Sequence, residues 1–223
     1  MNESEYIKLS KDLQDLARII PLNWGSIQND KTDSKINMFS IHSFQELEEA
    51  VLLLPEDNKN YFRRRWYLWK CAQCDEYLFY KYNNINKNPN PLDQEYDVEF
   101  FGNKEFRFDI KGTVIPRDLR YKPLIIDKTL IEKMISFFYT QQSTGVRNNY
   151  QNRLFIVHHS ESNQNREMYL RAYWEFKDKV YTEYINYLKK SPKVIKYKNV
   201  LCDIIFIIER DNKNFDYCFA SEI

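Results

Sequence analysis

The chain has 223 residues, 43% of them hydrophobic and 29% charged, so it can bury one sizeable core and is short for two full domains. Its 33 Lys and Arg against 32 Asp and Glu leave a net charge of +1, so bulk charge gives no general pull toward nucleic acid, and an enzyme of nucleic acids would have to concentrate positive charge locally. Only four glycines are present, and neither G-x-x-x-x-G-K-[ST] nor G-x-G-x-x-G occurs, which excludes the common phosphate-binding loops.

In chain order, residues 1–20 predict a helix, with Tyr6, Leu9, Leu13, Leu16 and Ile20 at helical spacing and Pro21 ending it. The opening Met1-Asn2-Glu3-Ser4-Glu5 is acidic and carries no apolar stretch, which argues against a signal peptide. Residues 22–42 are polar and irregular, with a short strand expected near Ile36–Ile41. Ser43 then caps a helix through Leu54, with Glu46 in the capping-box position. After the turn Pro55-Glu56-Asp57-Asn58, a long aromatic-rich helix is expected over roughly 59–82. A break rich in Asn and Pro follows to Leu92, then two extended stretches, Tyr96–Phe101 and Glu105–Ile115, with Gly102-Asn103-Lys104 as a tight turn between them.

Residues 127–142 predict a helix with Leu130, Ile131, Met134, Ile135 and Phe138 on one face. Gln141–Asn152 is a polar loop. Arg153–His159 is a short apolar strand of the kind buried at the centre of a sheet. A helix over 163–190 and strands at Val200–Glu209 and Phe215–Phe219 complete the chain. This order predicts one α/β domain, a central mixed β-sheet flanked by helices. Residues 1–58 form a helical N-terminal extension and 59–223 the core. No run of about 18 apolar residues exists, so no membrane span is expected and the cytoplasm is the default compartment. The four cysteines include one C-x-x-C, Cys71 and Cys74, but no second pair of ligands at close spacing, so buried thiols are expected rather than a zinc site.

The chemistry concentrates in Tyr96-Asp97-Val98-Glu99-Phe100-Phe101 and Phe106-Arg107-Phe108-Asp109-Ile110-Lys111-Gly112-Thr113. Strand side chains alternate faces, so Asp109 and Lys111 share one face, and on the partner strand so do Asp97 and Glu99. If the hairpin pairs these strands, Asp97 approaches Asp109. Two carboxylates beside an ammonium suit Mg²⁺ and an attacking water, because Mg²⁺ takes few carboxylates and keeps waters for a substrate phosphate. Of five acid-x-Lys strings in the chain, only Asp109-Ile110-Lys111 lies on an apolar strand with an acid 12 residues upstream on a neighbouring one. The other reading makes Asp97 and Glu99 solvated residues of an edge hairpin, with Lys111 as edge protection.

This hairpin resembles the signature of the PD-(D/E)xK, or restriction-endonuclease-like, nucleases, in which an acid on the first strand precedes D/E-x-K on the second. Asp97 matches the first acid, and Asp109 and Lys111 match the second motif. Tyr96 stands where the family's proline would be. The resemblance covers mainly residues 59–160 and implies a restriction-endonuclease-like core. It implies a Mg²⁺-dependent nuclease acting on DNA, with RNA open as the substrate and a homodimer as the form that cuts two strands. Asp97 and Asp109 would bind the metal and Lys111 would assist the water. Many such nucleases also carry a glutamate on the helix before the hairpin; Glu76 fits that place, with Asp75 as the alternative.

Two stretches suit nucleic-acid contacts. Arg117, Arg120 and Lys122 follow the second strand, and Gln142 and Arg147 sit in a loop rich in groups suited to base edges. Arg63-Arg64-Arg65-Trp66 combines cations and aromatics, but a wet basic face beside a core aromatic face accounts for it as well. His158 and His159 are expected to be structural or surface polar groups, since no G-x-S-x-G elbow accompanies them. A noncatalytic binding or assembly module on the same fold remains the competing reading.

Overall fold

The computed structural model describes residues 1–21, 25–90, 93, 95–120, 123–141, 151–210 and 214–223. The chain divides into two compact units, Met1–Tyr77 and Leu78–Ile223, and not near residue 58.

The first unit is helical. Helix α1 (Glu3–Leu16) starts at a complete capping box: Asn2 Oδ1 accepts from the Glu5 N–H, and Glu5 returns a bond to the Asn2 N–H. The short α2 (Asp30–Asp33) is capped by Asn29. Ser43 caps α3 (Phe44–Val51) as expected, but Glu46 reaches one residue further back, to the His42 N–H. The strand expected near Ile36–Ile41 is instead a single 3₁₀ turn, Met38–Ser40. Its burial explains why: Met38 and Ile41, three apart, point inward while Phe39 is exposed, which is turn spacing and not strand alternation. The Ile41 carbonyl accepts from the Trp66 indole N–H at 3.1 Å. Gly25, at φ +80°, lies so close to the Asp57 carbonyl that a Cβ would stand 2.4 Å from it.

Helix α4 (Glu56–Tyr80) starts three residues before the predicted bound, and its last three residues belong to the second unit. Within the first unit its aromatics supply the core: Tyr61, Phe62, Trp66 and Tyr67 are all buried. The triple arginine is absorbed by neighbours of the same unit. Arg63 pairs with Glu48 and Glu56, Arg65 with Asp33, and Arg64 donates to the Pro21 carbonyl.

The second unit is a seven-stranded mixed sheet in the order β1–β2–β3–β4–β6–β5, with β7 also on β6. The strands are β1 (Ile85–Lys87), β2 (Val98–Phe100), β3 (Arg107–Val114), β4 (Arg153–Ser160), β5 (Ile195–Tyr197), β6 (Val200–Glu209) and β7 (Phe215–Phe219). The centre, β3–β4–β6, is parallel, and all outer pairings are antiparallel. Strands β1 and β5, three residues each, were not anticipated from the sequence. The outer edge of β6 is shared by two strands: β5 takes residues 200–202 and β7 takes 205–209.

Helix α5 (Lys128–Thr140), capped by Asp127, covers one face, where Leu130, Ile131, Met134, Ile135 and Phe138 pack with Phe155, Val157, Ile204, Phe206 and Ile208. The predicted five-residue stripe is thus the buried stripe. The other face holds α7 (Trp174–Lys190), whose Tyr181 stacks on Phe79 and whose Tyr184 reaches Asp203 on β6. The helix expected over 163–190 is broken into α6 (Arg166–Leu170) and α7. At the break the Ala172 and Tyr173 N–H groups turn back to the Tyr169 and Leu170 carbonyls, and the buried Lys177 ammonium donates to the Arg171 carbonyl.

Candidate functional site

The β2–β3 hairpin sets the site. Val98 pairs with Phe108 and Glu99 with Arg107. Immediately before β2, the Asp97 N–H donates to the Phe108 carbonyl at 2.9 Å, and the Asp97 carboxyl lies close enough to Asp109 for the two to interact directly. Phe100 and Phe108 hold the opposite face in the core, so the carboxylates are turned to the α5 side. Beside them Glu99 and Arg107 form a cross-strand ion pair at 2.7 Å.

Asp109 is 4% exposed. Its Oδ1 lies 2.6 Å from Lys111 Nζ. Its Oδ2 accepts from Gln151 Nε2 at 3.0 Å and faces Arg153 Nε at 3.4 Å. Asp97 Oδ2 accepts the Ile110 N–H at 2.7 Å. Burial, and then the negative charge of Asp109, push the Asp97 carboxyl up to about 6, against the Ile110 N–H and the Lys111 ammonium, which favour its charged form. The Lys111 side chain remains 44% exposed, so its ammonium meets solvent as well as Asp109.

The parallel neighbour β4 completes the cluster. It pairs Arg153 with Asp109 and Phe155 with Lys111. The Arg153 guanidinium also lies over the Tyr139 ring, 5.3 Å from its centroid, and the Tyr139 hydroxyl donates to the Gln151 carbonyl at 3.0 Å. Gln151 and Arg153 were not identified from the sequence. Nothing in the composition of Arg153–His159 points to them, because their relation to Asp109 exists only once β4 is known to run beside β3.

The structure thus brings Asp97, Asp109 and Lys111 together. It does not bring Arg117 and Arg120 to them. Both lie beyond the other end of β3, and five residues of strand from Asp109 to Val114 already span roughly 16 Å. Arg117 is exposed. Arg120 is not a surface cation: its guanidinium grips Glu167 through two bonds of 2.7 and 2.8 Å and donates to the Ile115 carbonyl. Lys122, Gln142 and Arg147 lie outside the described residues. Glu76 is half-buried on α4 and Asp75 is 2% exposed there; both belong to the first unit, so the site described here consists of second-unit residues.

His158 and His159 are buried and not on the surface. His158 Nδ1 faces the Thr113 carbonyl at 3.1 Å, and burial, with Lys177 and Arg171 nearby, holds it well below the usual histidine range. His159 Nδ1 is 3.4 Å from Glu167. Cys71, Cys74 and Cys202 are buried and Cys218 half-buried, with no disulfide among them.

Among the described residues no three His, Cys, Asp or Glu side chains converge to hold a metal ion. Two carboxylates do converge, and two is a sufficient protein donor set for Mg²⁺, which fills its remaining positions with water and substrate oxygens. It would be too few for a structural zinc site. Among the described residues no helix is long and apolar enough to cross a membrane. No protein-family model, curated protein or solved structure matches this chain.

Proposed function

We propose that this protein is a Mg²⁺-dependent phosphodiesterase that hydrolyses DNA in the cytoplasm, in the manner of the PD-(D/E)xK nucleases its hairpin resembles. The observation that supports this reading is the close approach of the Asp97 and Asp109 carboxyls, with Lys111 Nζ 2.6 Å from Asp109. Asp97 and Asp109 are the groups to hold the metal. A bound Mg²⁺ there would supply Lewis-acid stabilisation of the phosphoryl oxygens and a more acidic water. Lys111, the most exposed member, is placed to donate to that water or to a phosphate oxygen as negative charge develops. The burial of Asp109, 4% exposed, strengthens each of these charge interactions relative to bulk water.

One observation favours a second reading, a noncatalytic binding module. Both oxygens of Asp109 already have partners, Lys111 on one and Gln151 with Arg153 on the other. A carboxylate so enclosed is also what a purely structural ion cluster looks like. A cleavage assay separates the two. Plasmid DNA, linear DNA and RNA are incubated with Mg²⁺ or Mn²⁺, with EDTA and Lys111→Ala as controls. Metal-dependent cutting that is lost in Lys111→Ala supports the nuclease, and the preferred polymer decides DNA against RNA. Folded protein that cuts none of the three with either metal supports the binding module. Sedimentation of the active protein tests the homodimer expected for cutting both strands.

A further inference from the structure

The cluster around Asp109 is electrically closed without any metal. Two carboxylates, Asp97 and Asp109, face two cations, Lys111 and Arg153, so the formal charges cancel. Each oxygen of Asp109 already faces one of these cations, so a divalent ion placed there competes with one of them. The two are not equally held. Lys111 makes a short bond to Oδ1, whereas Arg153 Nε stands 3.4 Å from Oδ2 and makes no hydrogen bond there. At that distance the contact is an ion pair only. Arg153 also has a second partner, because the Tyr139 ring lies under its guanidinium. Leaving Asp109 therefore does not strand a buried charge.

Resting on the metal reading above, we infer that Arg153 is a competing cation: it occupies the metal's place at Asp109 Oδ2 and must withdraw for a divalent ion to bind. With Arg153 withdrawn and a divalent ion in its place, the formal charge of the two carboxylates, Lys111 and the ion becomes +1, which suits a phosphodiester anion. Gln151, which donates to the same oxygen, is neutral and sets up no such competition.

The test is Mn²⁺ binding by the full chain without nucleic acid, read from the electron paramagnetic resonance of unbound Mn²⁺. The proteins are wild type, Arg153→Met, Arg153→Gln, Arg153→Lys and Asp109→Asn, each checked for folding by circular dichroism. Removing a unit charge a few ångströms from a divalent site tightens binding by about tenfold. That tightening is expected in Arg153→Met and Arg153→Gln, with Arg153→Lys close to wild type and binding lost in Asp109→Asn. A merely structural Arg153 would loosen the site or leave it unchanged. Affinity at or below wild type in both neutral variants, with binding still lost in Asp109→Asn, overturns the inference alone. Absence of Mn²⁺ binding in every protein, or binding that survives Asp109→Asn, overturns the metal reading and this inference with it.

Discussion

Asp203 offers a quantitative test of how the second unit is held together. Its carboxylate is fully buried on the α7 face of β6 and accepts from the Ile204 N–H at 2.8 Å, the Ser221 N–H at 3.1 Å, the Tyr184 hydroxyl at 3.1 Å and the Ser221 hydroxyl. Those donors favour the charged form, yet burial outweighs them and raises the carboxyl from 3.8 to about 6. The native state therefore binds this proton more tightly than the unfolded chain does. Stability from this group is fully present below about pH 4 and is lost as pH rises through about 6. Roughly two pH units at 1.36 kcal/mol each give about 3 kcal/mol, of which about 2 falls between pH 4.5 and 7.5. Asp203→Asn keeps an acceptor for the two N–H groups and offers an amide to the two hydroxyls, so it folds. Urea unfolding of both proteins across that pH range measures the difference, in which all shared groups cancel. The variant should gain about 2 kcal/mol relative to wild type on going to pH 7.5. A difference that stays flat to within about 0.5 kcal/mol refutes the claim that burial dominates at Asp203.

Three further outcomes are expected. Lys111→Ala should lower Mg²⁺-dependent cleavage by about 100-fold or more while leaving the thermal midpoint nearly unchanged, since its side chain is 44% exposed; steady-state rates and a melting curve check both. Because Asp97 titrates at about 6 and only its charged form binds a cation, apparent Mg²⁺ affinity at subsaturating metal should weaken about tenfold per pH unit below 6 and level off above it, measured from cleavage rates or from binding. Glu167→Gln leaves Arg120 without its buried counter-charge and should cost about 3 kcal/mol by urea unfolding, whereas the double substitution Arg120→Met with Glu167→Leu should recover most of that.

What was legible in the sequence follows from how each element is stabilised. Strands β4, β6 and β7 could be bounded closely because both faces of the first two are covered, which leaves unbroken apolar runs. The approach of Asp97 to Asp109 could be read because period-2 alternation fixes which residues share a face, although the β2–β3 connection is not the tight turn expected at Gly102-Asn103-Lys104 but a longer one, residues 101–106, with a 3₁₀ turn at Lys104–Phe106. Strands β1 and β5 could not be read. Each is three residues long and earns its extended form from the ladder it joins, not from its side chains. The break at 171–173 was hidden because the helical pattern continues across it, and only the backbone turn at Tyr173 departs. The pairing of Arg120 is hidden for a related reason. Nothing in sequence says that Glu167, 47 positions away, lies within reach. The contribution of Arg153 was equally invisible, since it depends on a parallel crossover through α5.

The shared outer edge of β6 has a consequence for how the sheet tolerates change. Its boundary is tiled by two separate short strands, and Asp203, on the seam between them, offers a side-chain acceptor to the Ile204 and Ser221 amides. Damage to one tile therefore stops at the seam. A shortened or slipped β5 leaves the five-residue β7 ladder in register, and a lost β7 leaves β5 and the whole inner edge against β4 intact. Asp109 on β3 lies three strands inward from β5, and Asp97, just before β2, is further still.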